Sequence, residues 1–219
     1  MNQNGLNNNN SHFKYSKMRY ISVIFMLSIC ATAYLGDYMV FKSKYSSNQV
    51  FRAFADTSVH GAIGFWSALL FFSCGINVTT QAWLYNVLFC SAMSSLIEVD
   101  HFIVAKSFNL KDIANVNRRG VFHNTSFCVI VTAILIILTH IARKINVHLF
   151  TYMLLLAFTS HHIRDGNRRG IWLYSSTHTQ PLGKCLYMFL ICLLPCVFAY
   201  SFHYTKPVLH QKVVQYGIV

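Results

Sequence analysis

Of the six acidic residues in this chain of 219, two, Glu98 and Asp100, stand beside His101 at the end of an apolar run that begins near Ala82. Charge facing hydrocarbon is costly, so ionisable groups in such a place default to a functional reading. Histidine nitrogens with carboxylate oxygens form the usual ligand set of a borderline divalent cation, zinc first, with manganese or iron behind it. His161 and Asp165 lie one helical turn apart, so one ion can take both, or the carboxylate can orient the ring. Asp100 and His101 point apart on a helix. One of them would ligate while the other positions a water, which makes this pair the candidate catalytic residues. His60 and His123, each at the start of an apolar run, complete a shell, so the expected ligands are His60, Asp100, His123, His161 and Asp165. Arg118, Arg119 and Arg164 would bind an anionic group, because a guanidinium matches phosphate or carboxylate with paired hydrogen bonds. A divalent metal with an open position acidifies water and polarises an ester or phosphoryl oxygen. The reaction class is then hydrolysis of a lipid or lipid-linked ester or phosphate.

Such residues need a scaffold, and composition names it. At 54% hydrophobic and 11% charged the chain is too apolar for an ordinary soluble domain, and several apolar runs reach spanning length. The expected fold is all-α, a polytopic membrane helix bundle with about six transmembrane helices. These spans run from Tyr20 to Phe41, Val59 to Ile76, Ala82 to Val104, Val121 to Ala142, Val147 to Ile163 and Lys184 to Tyr204. Together they form one membrane domain over 19–205, between an Asn-rich disordered tail at 1–18 and a short polar tail at 206–219. The fifth run is short for a span and would be surrounded by other helices. The first is read as a retained helix, although Ala31-Thr32-Ala33 resembles a cleavage site. The net charge of +12 lies in the links, where Lys and Arg orient helices and meet anionic headgroups. Membrane lipids are therefore the expected partners, and nucleic acid is not. The seven cysteines fall in or beside apolar runs and read as packing residues.

Six spans impose a parity rule. The ends of helices one, three and five and the starts of two, four and six share one membrane face. Asp37, Asp56, His60, Glu98, Asp100, His101, His123, His161, His162 and Asp165 all fall there, whereas His140, His148 and His203 fall on the other face with no acid among them. Eleven of the eighteen basic residues lie on the acid-bearing side, which the positive-inside rule makes cytoplasmic.

The blocks Asp56-Thr57-Ser58-Val59-His60 with Gly61 and Gly64, Glu98-Val99-Asp100-His101-Phe102, Arg118-Arg119 with His123, and Ser160-His161-His162-Ile163-Arg164-Asp165-Gly166 carry a resemblance. Over most of the chain from Tyr34 to the sixth helix they look like the transmembrane protein 267 family of animals, which implies a multi-pass membrane protein without an established activity. More remotely, the same four blocks are similar to bacterial LexA-binding, inner-membrane-associated metal-dependent hydrolases. Carried over by position, that likeness implicates His60, Asp100, His101, His123, His161 and Asp165. Glu98 stands where the bacterial pattern has its first Asp, and its extra methylene leaves it out of the carried-over set.

Two rival readings of the same residues exist. A non-catalytic scaffold or assembly protein would use the polar cluster as glue between helices. A bis-histidine haem protein would need opposed imidazoles in a hydrophobic slot and gains little from nearby acids.

Overall fold

A computed structural model describes residues 4–114, 118–174 and 176–205, excepting the side chains of 4–19, 111 and 114. In chain order the elements are α1 (Asn4–Phe41), α2 (Gln49–Ser73), α3 (Thr80–Leu96), α4 (Val99–Ala105) and the short α5 (Leu110–Ala114). A 3-10 turn, Val121–His123, leads into α6 (Thr125–Ala142) and α7 (Ile145–Arg169). The antiparallel hairpin β1 (Trp172–Tyr174) and β2 (Thr177–His178) precedes α8 (Lys184–Tyr204). The tails expected at 1–18 and 206–219 lie outside the described residues, apart from the backbone of 4–18, which continues α1.

Six long helical segments thus follow in the expected order, but several boundaries differ for physical reasons. The second helix begins ten residues before Val59, because the Asn48 side chain accepts from the backbone N–H groups of Val50 and Phe51 and satisfies two orphan donors. Arg52 and Asp56 are therefore helical. The third is interrupted by a turn at Ile97 and Glu98, which separates α3 from α4. The fourth starts only after Asn124, which caps Ser126 and Phe127 in the same way. The fifth runs six residues beyond Ile163 and carries Asp165, Arg168 and Arg169 in helical register.

Four segments, Tyr20–Phe41, Thr80–Ala105, Thr125–Ala142 and Lys184–Tyr204, are long and apolar enough to cross a membrane, and little of each is buried against protein. On α6 the side chains of Val129, Ile130, Ile134, Ile137, Leu138 and Ile141 are exposed. A stripe of that size belongs against hydrocarbon, since water-soluble surfaces rarely tolerate it. The other two helices, α2 and α7, have 25 residues each, about 37 Å at 1.5 Å per residue. They are the inner pair: α2 packs on α1, α3, α7 and α8, and α7 on α2, α3, α6 and α8. Their polar residues face one another inside the bundle, which is why neither reads as a strongly apolar span. The protein is an all-α multi-pass membrane bundle.

The largest apolar cluster lies away from the acids. Phe71, Leu149, Tyr152, Met153 and Phe202 pack there in one cluster. His148 is fully buried at that end, with Nδ1 3.3 Å from Thr139 Oγ1 and Nε2 3.3 Å from Thr205 Oγ1.

Candidate metal centre

The seam between α2 and α3 fixes the first donor. Gly61 and Gly64 let α3 approach so closely that a Cβ on either would overlap Ser95 or Ser94. Ser91, Ser94 and Ser95 donate to the carbonyls of Gly61, His60 and Thr57 at 2.9, 2.9 and 3.0 Å. This ladder pins the backbone around His60, whose ring is buried and stacked on that of His161 at 3.7 Å between centroids. Two imidazoles in van der Waals contact leave no slot for a porphyrin between them.

The second and third donors are oriented by single hydrogen bonds. His161 Nδ1–H donates to the Ser94 carbonyl at 2.8 Å, which leaves Nε2 with the lone pair. His123 sits on the 3-10 turn. Its backbone N–H and its ring Nδ1–H both donate to Asp100 Oδ2, at 3.1 and 3.2 Å, so its Nε2 also carries a lone pair. Gly120 makes this possible, since any Cβ there would fall on the Asp100 carboxylate. His162 pins the same turn from behind, with Nε2 2.8 Å from the Phe122 carbonyl and Nδ1 3.2 Å from Thr125 Oγ1.

These atoms converge. Nε2 of His60 is 3.3 Å from Glu98 Oε1 and 3.3 Å from Asp165 Oδ1. Nε2 of His161 is 3.6 Å from Glu98 Oε1 and 3.9 Å from Asp165 Oδ2. Ligand atoms of His60, Glu98, His161 and Asp165 all lie within 4.8 Å of one another. Neither ring nitrogen of His60 makes a hydrogen bond among the described residues, despite the two carboxylates beside Nε2. The Nε2 atoms of His123 and His161 face each other at 3.3 Å. With both Nδ1 hydrogens committed elsewhere, two lone pairs point at one spot, an arrangement that calls for a cation or a proton between them.

Against this geometry stand the relatives. Over 176 residues the chain is 31% identical to transmembrane protein 267 of Bos taurus, covering 75% of this chain and 76% of the relative. Over 167 residues it is 32% identical to transmembrane protein 267 of Mus musculus, covering 72% of each. Over 147 residues it is 33% identical to the Xenopus laevis protein of that name, covering 67% of this chain and 66% of the relative. This chain belongs to the transmembrane protein 267 family. No protein-family model and no solved structure matches it.

In this member of the transmembrane protein 267 family, some expected site residues stand elsewhere than sequence spacing implied. Asp100, expected both to ligate and to take part in catalysis, lies behind His123 and outside the converging group. Glu98, left out of the expected ligands, is at its centre. The turn at Ile97 and Glu98 sets these positions: Glu98, Asp100 and His101 donate their N–H groups to residues three back, not four. A 3-10 step advances about 120° per residue against about 100° in an α-helix, so the phases shift. His101 comes within 3.4 Å of Glu98 Oε2.

The arginines divide in the same way. Arg119 is buried, donates to the His101 ring and lies 5.9 Å from the Trp172 ring of the hairpin. Burial pulls its guanidinium pKa below the ordinary value, and Asp165 opposes that shift. Arg118 is exposed and does not line the cleft beside the donors. Arg164 is buried and committed to carboxylates, 3.2 Å from Asp37 and 2.6 Å from Asp56. It ties α7 to α1 and α2 and does not line the cleft beside the donors.

That cleft holds about 200 Å³, and its lining includes Asp56, Glu98, His101 and Asp165 together with Arg52, Arg119, Arg168 and Arg169. Arg52, Arg168 and Arg169 were not among the expected anion-binding residues. A signal for two of them existed: Arg168 and Arg169 follow Asp165 at three and four residues, the spacing of one helix face.

Proposed function

We propose that this protein is a membrane-embedded, metal-dependent hydrolase that cleaves a lipid or lipid-linked ester or phosphate at the membrane face where these helix ends meet. The observation that carries the reading is the pair of lone-pair nitrogens on His123 and His161, 3.3 Å apart in a buried site that also holds Glu98 and Asp165. Imidazole and carboxylate donors suit zinc first, then manganese or iron. The fit is supported by His60, a buried ring whose two nitrogens lack hydrogen-bond partners among the described residues. The four-block likeness to bacterial metal-dependent hydrolases points the same way.

On this reading His60, Glu98, His161 and Asp165 hold the ion, with His123 beside them and Asp100 keeping the His123 ring in its tautomer. A metal held there would supply an acidified water and polarise the bond to be cut. His101, on the cleft wall, is placed to position a water held there. Arg52, Arg119, Arg168 and Arg169 favour a substrate that bears negative charge beside the scissile bond, and a phosphate meets that demand with paired hydrogen bonds. The cleft opens at the ends of membrane helices, where lipid headgroups lie.

The test uses the full chain purified in detergent and loaded with zinc or manganese, then mixed with phospholipids and lipid phosphates. Release of phosphate or a water-soluble headgroup by the wild type, lost in His161→Ala but kept in His140→Ala, is the expected result. A folded, metal-loaded protein that releases nothing from any of these lipids overturns the proposal.

A further inference from the structure

We infer that the site holds two divalent ions, with Glu98 as the carboxylate between them; this rests on the metal-hydrolase reading above and fixes the number of ions. The two oxygens of Glu98 face different rings. Oε1 lies 3.3 Å from His60 Nε2 and 3.6 Å from His161 Nε2, whereas Oε2 lies 3.4 Å from His101 Nε2. Two donor groups result, each with its ligand atoms within 4.8 Å of one another: His60, Glu98, His161 and Asp165 form one, and Glu98, His101 and His123 the other. Glu98 belongs to both.

Asp165 stays with the first group, Oδ1 3.3 Å from His60 Nε2 and Oδ2 3.9 Å from His161 Nε2, while Oδ2 also lies 3.7 Å from His123 Nε2. Four imidazoles and two carboxylates are more than the four protein ligands that a closed zinc site takes. They match two ions at the separation of about 3.5–4 Å found in two-metal sites, which a single carboxylate spans through its two oxygens. Two of the outer rings have their own support: His161 leans on the Ser94 carbonyl and His123 on Asp100.

Arg119 is the competitor. Its guanidinium donates to the His101 ring, so a second ion must displace it from that nitrogen. Displaced, Arg119 remains on the cleft wall, where it meets the substrate anion, and His101 serves as a ligand. A pair of ions supplies a clamp on both the attacking and the leaving oxygen of a phosphate displacement. This suits a cleft lined by four arginines.

The experiment is manganese stoichiometry on the full-length protein in detergent. The protein is equilibrated with excess Mn(II), freed of unbound metal by gel filtration and measured by elemental analysis and electron paramagnetic resonance. The wild type is expected to carry two ions per chain with an exchange-coupled spectrum, and His101→Ala one ion with an uncoupled six-line spectrum. One uncoupled ion in the wild type overturns the second ion and leaves the hydrolase reading standing. No bound ion in a folded wild type overturns both. The wild type decides the question alone, so it does not depend on the variant folding.

Discussion

One oxygen of Asp100 takes both hydrogens that His123 can offer on that side, the backbone N–H at 3.1 Å and the ring Nδ1–H at 3.2 Å. The carboxylate thereby sets the position of the turn and the tautomer of the ring in a single contact. Outer partners of this kind are worth about 10–100-fold in metal affinity. Asp100→Ala should therefore weaken metal binding by roughly that factor, measured by competition with a chelator of known affinity. An unchanged affinity would show that His123 does not need this carboxylate.

Gly120 yields a packing prediction. A methyl at that position meets the Asp100 carboxylate, which is buried and held by His123, so neither group can easily retreat. Gly120→Ala should cost about 1–3 kcal/mol, the range for overpacking a filled interior. Thermal unfolding in detergent reads that loss directly, and a midpoint equal to the wild type would contradict the placement.

The Arg164 pairs with Asp37 and Asp56 predict an asymmetry. Truncating a buried ion pair on one side leaves charge unmatched, at about 3 kcal/mol or more, and the cost here should lie at the low end because both acids keep partial contact with solvent. Arg164→Met alone should destabilise the bundle, whereas Arg164→Met combined with Asp37→Asn and Asp56→Asn should recover much of the loss. If the triple variant is no more stable than the single one, the ties between α7, α1 and α2 are not what Arg164 provides.

Acid should empty the site. Each imidazole must give up its proton to bind a cation, so protons and metal compete for the same nitrogens and loading falls as pH is lowered. The sign is fixed by the ligand type: a site of histidines and carboxylates gains affinity with rising pH until the ligands are fully deprotonated. Metal content after equilibration across a pH series checks this, and a flat profile through the acid range would speak against histidine ligation.

Much of this arrangement was legible in the sequence because membrane topology is a parity problem. Once the apolar runs are counted, His60, His101, His123, His161 and Asp165 must gather at one face, and in the structure they do. What could not be read was local phase. Asp100 lies behind His123 because the N–H groups of Glu98, Asp100 and His101 each bond three residues back and tighten the chain after Ser95, a break absent from an uninterrupted helix from Ala82 to Val104. Glu98 is left out of the expected ligands for its extra methylene, not for its direction. Arg52, Arg168 and Arg169 escaped notice for another reason. Apolar runs mark where a helix touches lipid or core, and α2 and α7 continue as helices past the ends of theirs. The Asn48 cap was the sequence signal for the first of these extensions. Arg164 misled through its type: a guanidinium near a candidate metal suggests an anion, yet the nearest anions are the protein's own Asp37 and Asp56.

X-ray absorption at the edge of the metal that co-purifies with the full-length protein tests the central claim most directly. The account predicts a shell of nitrogen and oxygen only, at about 2.0–2.2 Å for zinc, with the outer-shell scattering of imidazole rings, and loss of the bound metal in His161→Ala. A folded protein that retains no metal, or a shell containing sulfur, would contradict it.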